Sequence, residues 1–242
     1  MPLISIIIPT VNEESVIGKT LSHLRDSLLR ERYEIIVVDD ESTDRTISIS
    51  EQYADRVIDR TGEIHNIPRG KNAGGKEARG EFIAFLDADC EPEKPAAFFE
   101  KAAMLFVENP RLVGLTCSLK VFPSMATCMD TIVFAAANLT HRFINNVLHS
   151  GGGSGEFQMV RRSAFEAIHG FAEELPVDED QDFFRRLAKV GDVRMEPSLI
   201  VWHTSRRAHK IGWRKLLTEW IVNYISVILF HKSASKEWKV IR

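Results

Sequence analysis

Two aspartates close an apolar run. Residues 80–92 read Gly-Glu-Phe-Ile-Ala-Phe-Leu-Asp-Ala-Asp-Cys-Glu-Pro. Phe82–Leu86 has no polar alternation, the pattern of an inner strand covered on both faces. Asp87 and Asp89 follow at i, i+2, and on extended backbone such residues point to the same side. Two hard carboxylates converging at a sheet end suit Mg2+ or Mn2+, with substrate phosphates completing the shell. Alone the motif is weak, because Asp-Ala-Asp also opens turns. A second acidic group, Asp178, Glu179, Asp180 and Asp182, lies at the start of a predicted helix. The helix dipole favours acids there but does not require four, so one of them is a candidate general base.

These side chains need a frame. Residues 3–8, 34–38 and 56–58 read as strands, and 112–122 as a strand region. A helix follows residue 12, with Asn12 as its cap, and Ser42 or Thr43 is placed to cap the next. Residues 68–75 read as a glycine-bearing loop, followed by a short helix to residue 79. Further helices are predicted over 95–107, 161–168 and 183–190, and a last strand over 199–202 leads to His203. Alternating strands and helices, with polar residues at the carboxyl ends of strands, describe an α/β fold with a mostly parallel central sheet flanked by helices. Residues 1–92 form its nucleotide-binding half. Neither G-x-G-x-x-G nor a Walker G-K-[ST] is present, so phosphates need another source of positive charge. Residues 125–148 carry an apolar stripe at helical spacing, through Met125, Met129, Ile132, Ala136, Leu139, Phe143 and Val147. It is expected to pack on the core; the alternative is that it lines an acceptor groove or touches lipid. Gly151-Gly-Gly-Ser-Gly155 reads as a flexible hinge that lets backbone approach a substrate.

Composition bounds the class. The 242 residues are 44% hydrophobic and 27% charged, as in a soluble globular protein. Cys90, Cys117 and Cys128 lack metal-ligand spacing and read as reduced thiols of a cytoplasmic chain, and no secretory leader is expected at the start. Residues 206–242 hold nine Lys/Arg against two Glu, a net +7, which leaves −10 of the overall −3 for residues 1–205. The basic, tryptophan-bearing tail suits an anionic membrane surface; nucleic acid is the weaker alternative and is not the expected partner. Within it Trp213–Phe230 reads as an amphipathic helix, too short in its apolar part to span a bilayer and suited to lie in its interface.

In order, the chain presents Ser-Ile-Ile-Ile-Pro-Thr-Val-Asn-Glu, Ile-Ile-Val-Val-Asp-Asp-Glu-Ser-Thr-Asp, Gly-Lys-Asn-Ala-Gly, Phe-Leu-Asp-Ala-Asp, Glu-Asp-x-Asp and Val-Trp-His. This set resembles the family 2 glycosyltransferases, inverting enzymes of the GT-A fold that use a nucleotide-sugar. The resemblance implies a catalytic domain over residues 1–205, with 93–205 as its acceptor half, ahead of the tail. It puts Pro9, Thr10, Asn12, Glu13, Asp40, Lys71, Asn72, Asp87 and Ala88 on the donor, usually a UDP-sugar. Asp89, Asp87 and His203 become metal ligands, Asp180 the general base, and Gly153, Glu179 and Asp182 the acceptor side. A Q-x-x-R-W motif, which marks processive members, is absent around residues 205–214, so a single-addition transferase is expected. The acceptor is a hydroxyl, with lipid-linked, protein and glycan carriers all open, and self-association is also open. The rival classes are a nucleotidyltransferase and a non-catalytic sugar-nucleotide-binding protein.

Overall fold

A computed structural model describes residues 3–237, so the last five residues of the basic tail lie outside it. The chain runs β1 (Ile4–Thr10), α1 (Ile17–Ser27), β2 (Tyr33–Asp39), α2 (Thr46–Ser50), β3 (Arg56–Asp59), α3 (Ile67–Glu77), β4 (Phe82–Leu86) and β5 (Glu91–Pro92). Then come α4 (Pro95–Glu108), β6 (Leu112–Val121), α5 (Cys128–Asn146), β7 (Phe157–Arg161), α6 (Arg162–Ala167), α7 (Glu179–Leu187), β8 (Asp192–His203), α8 (Arg206–Ile211) and α9 (Trp213–Phe230). All eight strands join one sheet in the order β3-β2-β1-β4-β7-β6-β8-β5. β1 pairs in parallel with β2 and β4, β2 with β3, and β6 with β8. β7 is antiparallel to both β4 and β6 and stitches the two parallel groups together.

Alternation along the strands feeds two apolar layers. Ile4, Ile6, Ile8, Phe82 and Leu86 face α1 and α4, packing with Leu21, Leu24, Phe99 and Phe106. Ile7, Val38, Ile83 and Phe85 face the other way, onto Phe165, Phe171 and Phe183. With both faces covered, an inner strand can be apolar throughout, as β4 is, and β1 departs from this only at Ser5 and Thr10.

Several local expectations are corrected. Asn12 does not cap α1; its backbone is left-handed at φ 53°, and α1 starts at Ile17 without a side-chain cap. Neither Ser42 nor Thr43 caps α2; Asp44 instead accepts from the Thr46 N–H at 2.9 Å. The glycine-bearing stretch is helix, not loop. Asn66 caps α3 by accepting from the Arg69 N–H, and the glycines let the helix lie close on the sheet. A Cβ at Gly74 would sit 2.3 Å from Ile7 Cγ2, and one at Gly75 2.5 Å from Phe165 Cζ. The helix expected over 161–168 is α6, preceded by a strand, β7, that the sequence did not announce, and α7 begins at Glu179 rather than at residue 183.

The run at residues 151–155 is packed rather than hinge-like. Asn145 brackets Gly152, donating to its carbonyl at 2.7 Å and accepting its N–H at 2.9 Å. Gly151 is at φ +83°, and a Cβ there would meet the Phe184 carbonyl oxygen at 2.2 Å.

α5 reverses the expectation of core packing. Asn138 faces inward and treats β6 as a strand would, accepting from the Leu119 N–H and donating to the Leu119 carbonyl, both at 3.0 Å. Asn146 does the same to Met195 on β8, at 2.9 Å each way. The apolar stripe therefore points outward, with Met129, Ile132, Leu139, Phe143 and Val147 exposed.

Candidate functional site

β1, β2 and β4 end side by side, and the segments leaving them open into a cleft. Pro9, Thr10, Glu13, Asp40, Asp87 and Asp89 line it, together with Glu156, His203, Arg206 and Trp213. Hydrogen bonds lace the loops after β1 and β2. Thr10 Oγ1 donates to Asp39 at 2.9 Å, and Ser42 donates to Asp39 through its N–H at 2.7 Å and its hydroxyl at 2.6 Å. Asn12 is used up in this lacing: its N–H donates to Ser42 Oγ at 2.7 Å, and its Oδ1 accepts from the Thr43 N–H at 2.9 Å.

Asp40 is held by Arg60 and lies near His65. Buried Arg60 donates to it, and His65 Nδ1 stands 3.8 Å away. Burial raises the Asp40 carboxyl above the ordinary carboxylate range, against the pull of Arg60 and His65. Sequence reasoning missed both residues. Arg60 directly follows β3, and the rule that polar residues gather at carboxyl ends of parallel strands, which picked out Asp40, picks it out too.

Behind Asp87 lies a second charged group. Lys71, buried on α3, donates to Glu179 Oε1 at 3.1 Å and stands 5.0 Å from the Phe171 ring centre. Its ammonium thus pairs with a carboxylate of α7. Burial opposes its charge, but Glu179, then Asp87 and Asp180, outweigh that and raise its pKa. Asn72, expected on the donor, is structural: it donates to the Phe171 carbonyl at 2.9 Å and to Glu173 at 3.1 Å, and accepts the Phe171 N–H at 2.8 Å.

Gly155 marks where the two groups meet. A Cβ there would be 3.8 Å from Asp87 Oδ2, 3.9 Å from Asp180 Oδ2 and 3.9 Å from Lys71 Nζ. Burial pushes the Asp87 carboxyl well above its usual range, opposed by Lys71. Burial and then Glu179 do the same to Asp180, again opposed by Lys71. The other acids of this turn have partners: Asp178 takes Arg185 at 3.2 Å and Asp182 takes Arg186 at 2.7 Å. Among the described residues, Asp180 has no cation within ion-pair distance and accepts from the Gln181 N–H at 2.8 Å. Gly153 stands beside it, its carbonyl accepting from Gln181 Nε2 at 2.5 Å.

Asp89 accepts from the Thr204 hydroxyl and, at 3.0 Å, from Arg206 Nε. The same guanidinium forks onto Glu13 at 2.8 and 3.0 Å. Arg206 and Glu156 were both missed by sequence reasoning. Composition puts Arg206 in the tail, although it stands three residues past the end of the last strand. The boundary after residue 205 in fact falls inside the cleft wall, because Arg207, Trp213, Leu216 and Trp220 line it too. Ala88 bears on the site through its carbonyl, which accepts from Thr20 Oγ1 at 2.7 Å.

The fit to a divalent ion is mixed in detail and sound in chemistry. Among the described residues, no three His, Cys, Asp or Glu side chains stand together as a ready coordination set. Asp87 and Asp89 nonetheless give the cleft two hard oxygen donors, and buried His203 Nε2 has no partner. Asp89 would have to yield Arg206 to an ion. His203 Nδ1 accepts the Ser205 N–H at 3.2 Å, which puts the neutral ring's proton on Nε2. Ligation through Nε2 requires the other tautomer, so Asp87 fits an ion as it stands, Asp89 fits one once Arg206 moves aside, and His203 fits one once its bond to Ser205 is released.

The chain can be compared with known proteins at this point. The sequence model described as Glycosyl transferase family 2 matches residues 5–168. A relative named "Probable glycosyltransferase YdaM", from Bacillus subtilis (strain 168), is 29% identical over 247 residues, covering 91% of this chain and 54% of the relative. The chain therefore spans about half that relative's length. Among solved structures, the mannosyltransferase PcManGT from Pyrobaculum calidifontis, in complex with GDP-Man and Mn2+, superposes with a TM-score of 0.73 at 19% identity, over 96% of this chain and 66% of that one. S. aureus TarS 1-349 in complex with UDP-GlcNAc gives 0.67 at 22% identity, over 85% and 59%. At such identities the structural likeness concerns the fold.

Proposed function

This chain belongs to glycosyl transferase family 2, and from that premise we propose that it moves a sugar from a nucleoside-diphosphate sugar to an acceptor hydroxyl, inverting the anomeric centre in one displacement. The observation that carries the reading is the meeting of Asp87, Lys71 and Asp180 around Gly155. A donor-side carboxylate, a fixed cation and an acid without an ion-pair partner there border one small space. In this reading residues 1–92 hold the donor, with Pro9, Thr10, Glu13 and Asp40 around the nucleotide, and residues 93–205 hold the acceptor. A UDP-sugar is the favoured donor, in line with the UDP-GlcNAc held by TarS.

Asp180 takes the proton of the acceptor hydroxyl as its oxygen attacks the anomeric carbon. The new C–O bond forms on the face opposite the breaking one, whose electron pair leaves on the diphosphate. Lys71 and Arg206 supply positive charge fixed before the reaction begins, where negative charge develops. Asp87 and Asp89 would hold a Mg2+ or Mn2+ ion, which when bound adds Lewis-acid stabilisation of the leaving diphosphate. Burial raises the Asp180 carboxyl pKa well above its usual range, which makes its carboxylate the stronger proton acceptor.

Among the described residues no helix is long and apolar enough to cross a membrane. We place the chain on the cytoplasmic face of a membrane, held peripherally by the distal half of α9 and its cations, with a lipid-linked hydroxyl as acceptor and no nucleic-acid partner. The test is stereochemical. A panel of sugar nucleotides with Mn2+ is screened for turnover, and the anomeric coupling of the product is read by proton NMR. Inverted product is expected. Retained configuration overturns the single displacement, and pyrophosphate release assigns the chain to the nucleotidyltransferases.

A further inference from the structure

An amphipathic helix on a globular protein ordinarily turns its apolar stripe to the core. α5 does the opposite. Its inward side sets buried Phe134 beside a row of polar contacts, Asn138 on Leu119, Asn145 on Gly152 and Asn146 on Met195, and His141 meets Gln181 at 3.1 Å. Its outer face offers Ile132, Leu139, Phe143 and Val147, each more than half exposed. Isolated exposed apolar residues need no explanation, but a continuous stripe over five helical turns does.

At the mouth of the cleft the buried side of the first turns of α5 meets α9. The Phe134 and Trp213 rings stand 5.6 Å apart there, and Trp213 Nε1 donates to Asp130 at 3.0 Å. Beyond that contact α9 exposes Ile221, Ile225, Leu229 and Phe230.

Charge decides what covers the face. Between residues 125 and 149 the one acid is Asp130, and it is buried; between 206 and 236 the one acid is Glu219, paired with Arg207 at 3.6 Å. Besides Arg206, held by Glu13 and Asp89, and Arg207, held by Glu219, the cations of the same stretches are Arg142, Lys210, Arg214, Lys215, Lys232 and Lys236. A second copy of the chain would bring like charge against like, whereas an anionic surface meets its complement.

We propose that the outer face of α5 is a membrane-docking surface, seated in the interface of an anionic bilayer, with the cleft mouth at its α9 end turned to the lipid. The proposal goes beyond the tail-mediated attachment above and does not depend on the transfer chemistry. It predicts that α5, fixed to the sheet by its asparagines, contributes apolar contact that α9 cannot supply.

The test uses the full chain with vesicles of phosphatidylglycerol and phosphatidylcholine, and with phosphatidylcholine alone. The wild type is expected to float with the anionic vesicles and less with the neutral ones. The double variant Leu139→Gln, Phe143→Gln changes two exposed side chains, so its melting temperature should hold. Its vesicle dissociation constant should rise at least about tenfold, given that burying each such side chain contributes a large fraction of a factor of ten or more. A fluorophore on Leu139→Cys, in a Cys128→Ser background, should shift to the blue with anionic vesicles. No flotation overturns the proposal. So does flotation unchanged in the α5 variant but lost in Ile225→Gln, Leu229→Gln, which assigns attachment to α9 alone. A dimer in light scattering that the α5 double variant dissolves gives the face to a second copy and also overturns it.

Discussion

Asp130 ties the cleft wall to the body, and its replacement by asparagine tests that role. Its Oδ1 accepts from Ser205 Oγ at 3.1 Å and from Trp213 Nε1 at 3.0 Å. Its Oδ2 accepts from the Thr127 N–H at 2.7 Å and meets His209 Nε2 at 2.8 Å. An amide offers one acceptor and one NH2 group. Whichever way the introduced amide is turned, its NH2 faces an N–H that cannot reverse its role, the indole on one side or the Thr127 backbone on the other. One buried donor is therefore left unsatisfied and the charge on two more bonds is lost. With bonds to a charged group worth about 1.5–3 kcal/mol and imperfectly additive, Asp130→Asn should cost about 3 kcal/mol. For a chain of this size that corresponds to a fall in Tm of about 6–12 °C by differential scanning calorimetry. The loss should be concentrated in the cleft wall, so hydrogen exchange over residues 206–230 should quicken more than over β1 or β4. An unchanged Tm together with unchanged exchange in that segment would refute the claim that Asp130 anchors it.

Two further substitutions test other parts of the account. Gly74→Ala places a methyl 2.3 Å from Ile7 Cγ2; overpacking of about 1–3 kcal/mol less about 1 kcal/mol of gained helix propensity leaves a net loss near 1 kcal/mol. A Tm at or above the wild type's would show that α3 does not press on the sheet. Asp178 has its carboxyl raised to about 6, chiefly by burial and against the pull of Arg185. Because the folded value lies above the unfolded one, the native state binds this proton more tightly; the resulting stability is present below the unfolded pKa near 4 and is lost as pH rises through about 6. Asp178→Asn, tolerated at φ 67°, should remove that dependence. The stability of the wild type relative to the variant should fall by about 1–2 kcal/mol between pH 4 and 7.5 in urea titrations, and a pH-independent difference would contradict the burial argument.

Much of the frame was legible because it follows from periodicity. α9 begins and ends where its apolar spacing begins and ends, and the strands before Asp40 and Asp87 show as apolar runs closed by acids. What stayed hidden depends on contacts between distant segments. Glycine signals a turn or a close approach with equal ease, so Gly74 and Gly75 read as loop until Ile7 and Phe165 are seen against them. The stripe on α5 was visible, but periodicity states that a helix has two faces and not which one meets the core; the three inward asparagines settled it. Lys71 illustrates the same limit within the site. Its charge was legible, but its partner Glu179 lies 108 residues away, and nothing local announces that the two are paired. Arg206 was hidden by its neighbours, since a basic tail disguises a cation that reaches back to Glu13 and Asp89.

The central claim is that Asp180 performs the proton transfer and does not merely hold the donor. Isothermal titration of a UDP-sugar into Asp180→Asn, set beside its turnover rate, tests this directly. The account predicts a donor dissociation constant within about twofold of the wild type and a turnover lowered by ~10²–10⁴-fold, the usual contribution of a general base. Turnover at the wild-type rate in that variant, with the loss appearing instead in Asp182→Asn, would contradict it.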